Sequence, residues 1–479
     1  MVSGGGSSGS GGVGTSGTTS AGGSGGAQGS GGATGSGSAT GSGGATAAGG
    51  TTTSGGATGS GGGTATGGVK AAGGATGTGG VSGTGGTSST AGTTGTGGRT
   101  GTGGVTATGG ATATGGTTGT GGATATGGIK GTGGATSTGG STGGFSASFY
   151  IGADITDQET APSAAQDDLL SQMKAHGFNS IRLRTFVDPK AADGYDKTNG
   201  YDDIAHTVVF GKKIKDAGMG LLVDFHYSDN WADPGKQCVP VAWQSYTTIA
   251  DLATAVHDYT KDAITKLIAG GARPDMVQIG NETTPGMLIH RCDSGGQPTG
   301  NNPITGSTSN WTNLGALLKA GVQGVRDVDT GIFISFHIDR GNSFSATKSW
   351  IDNVVKQGIS FDAFGESCYQ QYQGDPNSTS NTVNGWTSAF GSMASTYPNI
   401  KFFAAEYGPL EREINDVLYN LPNKQGIGTF NWEPTTRGAW NQTADGVYHT
   451  LFTRSGNTYT TGADITLYDQ MKIDYASRL

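Results

Sequence analysis

Two glutamates close apolar runs in this chain: Glu282 in Met276-Val-Gln-Ile-Gly-Asn-Glu-Thr283 and Glu406 in Lys401-Phe-Phe-Ala-Ala-Glu-Tyr-Gly408. A carboxylate at the end of a buried strand is costly unless it is paired or used. Two of them, on strands with two βα units between, read as a matched pair facing one pocket. Paired carboxyls carry glycoside hydrolysis, one as a general acid whose pKa is raised by burial and a like charge, the other as a nucleophile. Glu282 is expected as acid/base and Glu406 as nucleophile. Asn281, beside the acid, is placed to bind a sugar hydroxyl as the transition state forms.

Around this pair, polar and aromatic residues gather where other apolar runs end. Arg184 on the second run is expected to bind substrate, and a barrel arginine such as this one would also keep Glu406 ionised. In Leu222-Val-Asp-Phe-His-Tyr-Ser-Asp229, Asp224 and His226 share one face by alternation. That puts His226 toward the pocket and Asp224 deeper, in a hydrogen-bond network. The ligand types there lack the spacing of a metal site, and neither a metal nor another cofactor is expected. Trp231 in the following loop and Trp432 at the end of the last run offer flat faces on which a pyranose can rest. His337 and Tyr369 close two further runs and are expected either to touch the sugar or to hold Glu406. Glu366, next to an apolar run, has no role in this reading.

These positions need a frame. The candidate strands are Phe149–Ile155, Ser180–Phe186, Gly220–Tyr227, Met276–Glu282, Gly331–Ile338, Phe361–Ser367, Lys401–Tyr407 and Gly426–Trp432. Stretches of helical period lie between them, at 164–176, 204–217, 249–268, 314–328, 348–357 and 411–420, with a last one at 465–475. No helix is assigned between the sixth and seventh strands. Eight strands alternating with helices is the count of a (β/α)8 barrel, an α/β fold whose chemistry sits at the carboxyl ends of its strands. The first strand lacks the glycine-rich phosphate loop of a doubly wound sheet.

The chain changes composition near residue 145. Residues 1–144 hold 61 of the 94 glycines, with no aromatic, Pro, Cys or acidic residue, and Lys70, Arg99 and Lys130 are their charges. So little apolar surface does not offset the entropy of ordering such a backbone, and a flexible Gly/Thr/Ser/Ala linker is expected. As a coil it would span about 60–70 Å. Residues 145–479, the expected catalytic domain, carry 25 basic against 36 acidic residues, a net −11. That balance argues against nucleic acid and anionic membranes as partners. No stretch is apolar enough for membrane insertion. A monomer acting on a neutral polysaccharide is expected. Met1-Val-Ser-Gly-Gly runs into the linker without a secretory signal, yet a tether before such a domain suggests export. The expectation is a secreted or surface-tethered protein with a missing or misassigned start, and a cytoplasmic protein is the alternative. Cys238 and Cys292 both follow strands, and a disulfide and two free thiols are equally open; Cys368 stays free.

With these residues in view, the chain resembles glycoside hydrolase family 53, the arabinogalactan endo-β-1,4-galactanases, over most of 149–434. The likeness is carried by Gly152-Ala-Asp154, Ile181-Arg-Leu-Arg184, Leu222-Val-Asp-Phe-His-Tyr-Ser-Asp229, Trp231-Ala-Asp-Pro-Gly-Lys-Gln237, Gly280-Asn-Glu282 and Trp432-Glu-Pro434. It implies a (β/α)8 barrel and a retaining mechanism, with acid/base and nucleophile falling on Glu282 and Glu406. The chain departs from the family at Arg184-Thr-Phe-Val-Asp-Pro189, at Glu366-Ser-Cys-Tyr-Gln370, where the family reads Leu-Ser-Tyr-Tyr-Pro, and at Tyr407-Gly-Pro-Leu410. These positions would line sugar subsites, so the reaction is better specified than the sugar. The calcium of some bacterial members is not carried over, since 407–426 lacks an acidic ligand set. The expected activity is endo-cleavage of β-1,4-galactan. The alternatives are another β-glycan such as mannan, or a carbohydrate-binding protein without turnover.

Overall fold

The computed structural model describes residues 148–438, 440, 442 and 448–479, and within 1–147 only the backbone of short strands. Those strands, from Ser8–Ser10 to Ala135–Ser137, pair in parallel, after the first each with the third along the chain, as Ala39 with Ala57. The rest of the segment, and with it the expected flexible linker, lies outside the described residues. The chain divides into two units, Met1–Gly143 and Gly144–Leu479.

The second unit is built on eight parallel strands that close into a barrel. They are β1 (Tyr150–Asp154), β2 (Ser180–Thr185), β3 (Gly220–Phe225), β4 (Met276–Ile279), β5 (Phe333–Ile338), β6 (Ala363–Cys368), β7 (Lys401–Tyr407) and β8 (Gly426–Trp432). β1 pairs with β8, with Asp154 opposite Trp432, which completes the ring. Each strand leads to a helix: α1 (Ser163–Ala175), α2 (Ile204–Asp216), α3 (Ile249–Ala269), α4 (Trp311–Arg326), α5 (Phe344–Lys356), α6 (Thr379–Thr396), α7 (Glu411–Tyr419) and α8 (Ile465–Asp474). Side-chain caps start several of them, with Asp203, Thr248, Asn310 and Ser378 each accepting from a backbone N–H of the first turn.

α6 is the helix that the sequence reading omits. Its segment is rich in Ser, Thr, Asn and Gly, which favour turns. Yet Trp386, Phe390 and Met393 fall on one face and are buried, and that packing overrides the weak propensity.

Alternation along the strands sorts side chains into two cores. Odd residues of β7 such as Phe403 and Ala405 join Tyr150, Leu222, Met276, Ala363, Ile427 and Phe430 inside the barrel. Phe402, Ala404 and Tyr407 face the helices. The lower barrel is filled by two phenylalanine rings that occupy the space of missing side chains. A Cβ on Gly152 would lie 2.4 Å from Phe430, and one on Gly365 2.7 Å from Phe403. Above this apolar plug the inward residues turn polar: Asp154, Arg182, Arg184, Asp224, Gln278, Ser335, His337 and Ser367, all closed to solvent.

Candidate active site

β4 stops at Ile279, three residues short of the expected end. The chain then turns through Gly280 at φ 82° and Glu282 at φ 43°. Glutamate in the left-handed region is strained by about 1–3 kcal/mol, so neighbours must hold it. Gly280 N–H donates to Phe225 O, Thr283 N–H to His337 O, and Trp350 Nε1 to Thr283 O. Gln237 Nε2 donates to Asn281 O at 2.9 Å. Gln237 precedes Cys238, which forms a disulfide with Cys292 at a Cα separation of 5.9 Å, so the open question on these two thiols is settled; Cys368 is free and buried. The turn therefore lifts Glu282 off the ladder and aims its carboxyl across the mouth.

Glu406 reaches the same mouth by a different device. By strict alternation it would follow Phe402 and Ala404 toward the helices. The β6–β7 pairing skips a residue, however: Glu366 opposes Ala404 and Ser367 opposes Glu406. Ala405 is the extra residue of this bulge, and bulges re-aim side chains in this way. Glu406 consequently turns inward. Its Oε1 lies 3.1 Å from Arg182 Nη1, and its Oε2 accepts from Tyr369 OH at 3.0 Å. The Arg182 contact is an ion pair without an aligned hydrogen bond, so Oε1 keeps a free lone pair.

Between the two acids runs a continuous chain of contacts. Ser367 Oγ donates to Glu282 Oε1 at 2.5 Å and lies 2.9 Å from His337 Nε2. His337 Nδ1 is 2.9 Å from Asn281 Oδ1, which accepts from Arg182 Nη2 at 2.8 Å. Arg182 also donates to Asp154 at 3.0 Å and Asp224 at 2.7 Å. One guanidinium thus serves three carboxylates. Burial, then the charge of Glu406, holds the Glu282 pKa well above its ordinary value. Burial also pushes Glu406 up, to about 7, against the opposing pull of Arg182. The first proton therefore belongs to Glu282, and Glu406 is the group that an arginine keeps ionised.

Arg182, not Arg184, is the partner of Glu406. Both point inward, but Arg184 is engaged on the β1–β8 side, with Nε donating to Asp202 at 2.9 Å and Nη1 to Glu433 at 3.1 Å. It is fully buried, 4.2 Å beneath the Trp231 ring, and it supports that ring instead of meeting a ligand. His226 is closed off in the same way. Its Nδ1 accepts from Ala232 N–H at 3.0 Å, and its ring packs on Phe186 and Trp231. Asp224 lies beneath it in the expected network. His337 reaches neither the mouth nor Glu406, since both ring nitrogens face Asn281 and Ser367. Tyr369 does hold Glu406. Trp231 and Trp432 meet edge to face at 5.9 Å, with Trp432 against both arginines. Glu366 faces outward, where it accepts from Thr347 Oγ1 at 2.5 Å and Arg340 N–H at 2.9 Å.

Sequence reasoning gave no role to Ser367 or Gln237. The inward parity of Ala363 and Gly365 was the available signal for Ser367; nothing local marks Gln237. Away from the mouth, Glu411, His449 and Asp464 present ligand atoms within 4.8 Å of one another. One imidazole and two carboxylates suit a borderline divalent cation better than calcium. His449 Nδ1 also lies 2.9 Å from Asp464, an ion pair that uses the same atoms.

A closed (β/α)8 barrel with two acids of unequal proton affinity at one mouth defines a glycoside hydrolase. Residues 144–409 match the model of glycosyl hydrolase family 53, and the chain belongs to that family. It is 28% identical to an arabinogalactan endo-beta-1,4-galactanase of Thermothelomyces thermophilus, over 59% of this chain and 86% of that protein. It is 26% identical to an endo-beta-1,4-galactanase of Bacillus subtilis, over 61% and 71%. Among solved structures, the family 53 catalytic domain of Ignisphaera aggregans superposes with a TM-score of 0.53 at 26% identity, covering 67% of this chain and 95% of that one.

Proposed function

We propose that this protein is an endo-acting, retaining glycosidase of β-1,4-galactan, the side chains of type I arabinogalactan and pectin. Glu282 is its acid/base and Glu406 its nucleophile. The observation that carries the reading is the asymmetry of the pair, with one acid held protonated by burial and its neighbour's charge, the other paired with Arg182. In the first step a Glu406 oxygen attacks the anomeric carbon, the glycosidic C–O bond breaks, and the departing oxygen takes the proton of Glu282. In the second, water attacks the same carbon, gives its proton to Glu282 and frees Glu406. Retention requires the two carboxyls about 5–5.5 Å apart.

Asn281 Nδ2 donates one hydrogen to Ala232 O at 2.8 Å. Its second N–H is left for the 2-hydroxyl of the sugar. Trp432 supports the sugar at the cleavage point and Trp231 extends that surface. Relatives named as galactanases support the choice of sugar. The disulfide supports export, because such bonds persist in oxidising compartments. Among the described residues no helix is long and apolar enough to cross a membrane.

Product analysis on purified β-1,4-galactan tests the reading. Early release of mixed oligosaccharides with the β configuration is expected. Inverted products would overturn the nucleophile, and hydrolysis of mannan in place of galactan would overturn the substrate.

A further inference from the structure

Ser367 is closed to solvent on β6, and its hydroxyl stands between two groups that compete for one hydrogen. Glu282 Oε1 lies at 2.5 Å and His337 Nε2 at 2.9 Å. Burial and the charge of Arg182 keep His337 neutral, so one ring nitrogen bears hydrogen and the other a lone pair. In one arrangement Nδ1–H donates to Asn281 Oδ1 and Nε2 accepts from Ser367. The serine then has no hydrogen left for Glu282, and the short contact is filled by a proton on the carboxyl, donated to Oγ. In the other arrangement Glu282 is ionised and Ser367 donates to Oε1. Nε2 now supplies a hydrogen to Oγ, and Nδ1, left with a lone pair, turns to the Glu282 backbone N–H at 3.4 Å and must draw back from Asn281 Oδ1, an acceptor 2.9 Å away to which it no longer donates. Asn281 Oδ1 keeps Arg182 and Gln278 as donors in both.

We propose that Ser367 is a positioning residue for the acid/base: its hydroxyl, backed by His337, accepts from Glu282 in the acid form and donates to it in the base form. One carboxyl in an apolar setting can then serve both halves of the reaction. The location adds weight, since Ser367 opposes Glu406 across the bulge and touches both halves of the machinery at once. This inference rests on Glu282 being the acid/base.

The test compares wild type with Ser367→Ala, measuring kcat/KM against pH on galactan oligosaccharides and the two steps separately on an aryl β-1,4-galactobioside. Without the donor the ionised carboxylate is less stable. The high-pH limb of the alanine variant is expected to move up by about one pH unit, the scale of one hydrogen bond to a charge. Release of the glycosyl-enzyme at neutral pH is expected to slow about tenfold, seen as a burst of aryl alcohol. Ser367→Thr, which restores a hydroxyl, brings the limb back. Ser367→Cys, a poor donor of similar shape, repeats the displacement and gives the reading if the alanine variant does not fold. A uniformly lower rate with an unmoved limb, or a profile that superposes on wild type, overturns the proposal. Glu282→Gln is measured alongside. If it is inactive on polysaccharide, an unmoved limb overturns the serine's role alone; if it is fully active, the acid/base assignment falls as well.

Discussion

Glu282 and Glu406 divide the labour because their surroundings differ. Activity needs Glu406 ionised and Glu282 protonated. The acid limb of kcat/KM is therefore expected near pH 7, where Glu406 titrates, and the basic limb higher, set by the more strongly raised Glu282. A pH profile on galactan checks both limbs, and an acid limb below pH 5 would mean that the pull of Arg182 outweighs burial at Glu406. Glu282→Gln should lower kcat/KM about 10²–10⁴-fold on polysaccharide. Tyr369→Phe removes a charge-assisted donor from the nucleophile and should cost about 10–100-fold in kcat with little change in melting temperature. The two acids were legible in the sequence because a charge at the end of an apolar run is expensive. Their wiring was not. Arg182 and Arg184 have the same parity and the same type, and only the three-dimensional competition from Asp202 and Glu433 decides which one meets Glu406.

At the scale of elements, the eight strands were readable from apolar runs, with ends misplaced by a few residues. β4 was drawn to Glu282, although a turn takes over after Ile279; apolar periodicity does not show where a ladder yields to a left-handed turn. α6 escaped because its composition speaks for loops while its buried stripe depends on neighbours. The disulfide belongs to this scale too. Cys238–Cys292 closes a loop of sequence separation 54 and anchors the segment whose Gln237 grips the backbone beneath the acid. Replacing both cysteines by serine should cost about 2–4 kcal/mol of stability, read as a lower denaturant midpoint. A fall in kcat should accompany it as the turn around Glu282 loosens.

For the molecule as a whole, buried acids set the response to pH. Glu366, Glu411 and Glu433 are each pushed up to about 8, burial being the main cause. A carboxyl with a raised folded pKa contributes its stability in full below the ordinary value of about 4.5. It loses that contribution progressively as pH rises to about 8. The unfolded chain releases the proton first. Glu366→Gln keeps partners for Thr347 and Arg340 but does not titrate, so its melting temperature should fall less than that of wild type between pH 5 and 8. Thermal unfolding across that range checks it. The acids and aromatics of the mouth all belong to the unit Gly144–Leu479, and a chain starting at Gly144 should keep the kcat of the full chain on soluble galactan.

The spare alanine in β7 makes pairing register, as well as residue type, a determinant of catalysis. A substitution at position 405 leaves the spacing of the strand alone. A slip that smoothed the bulge away, with Ala405 opposite Ser367, would restore unbroken alternation and swing Glu406 toward the helical shell. Such a protein would keep every chemical group of the enzyme and still be unable to form a glycosyl intermediate. Changes that loosen the β6–β7 register are therefore expected to be selected against as strictly as changes of the glutamate itself.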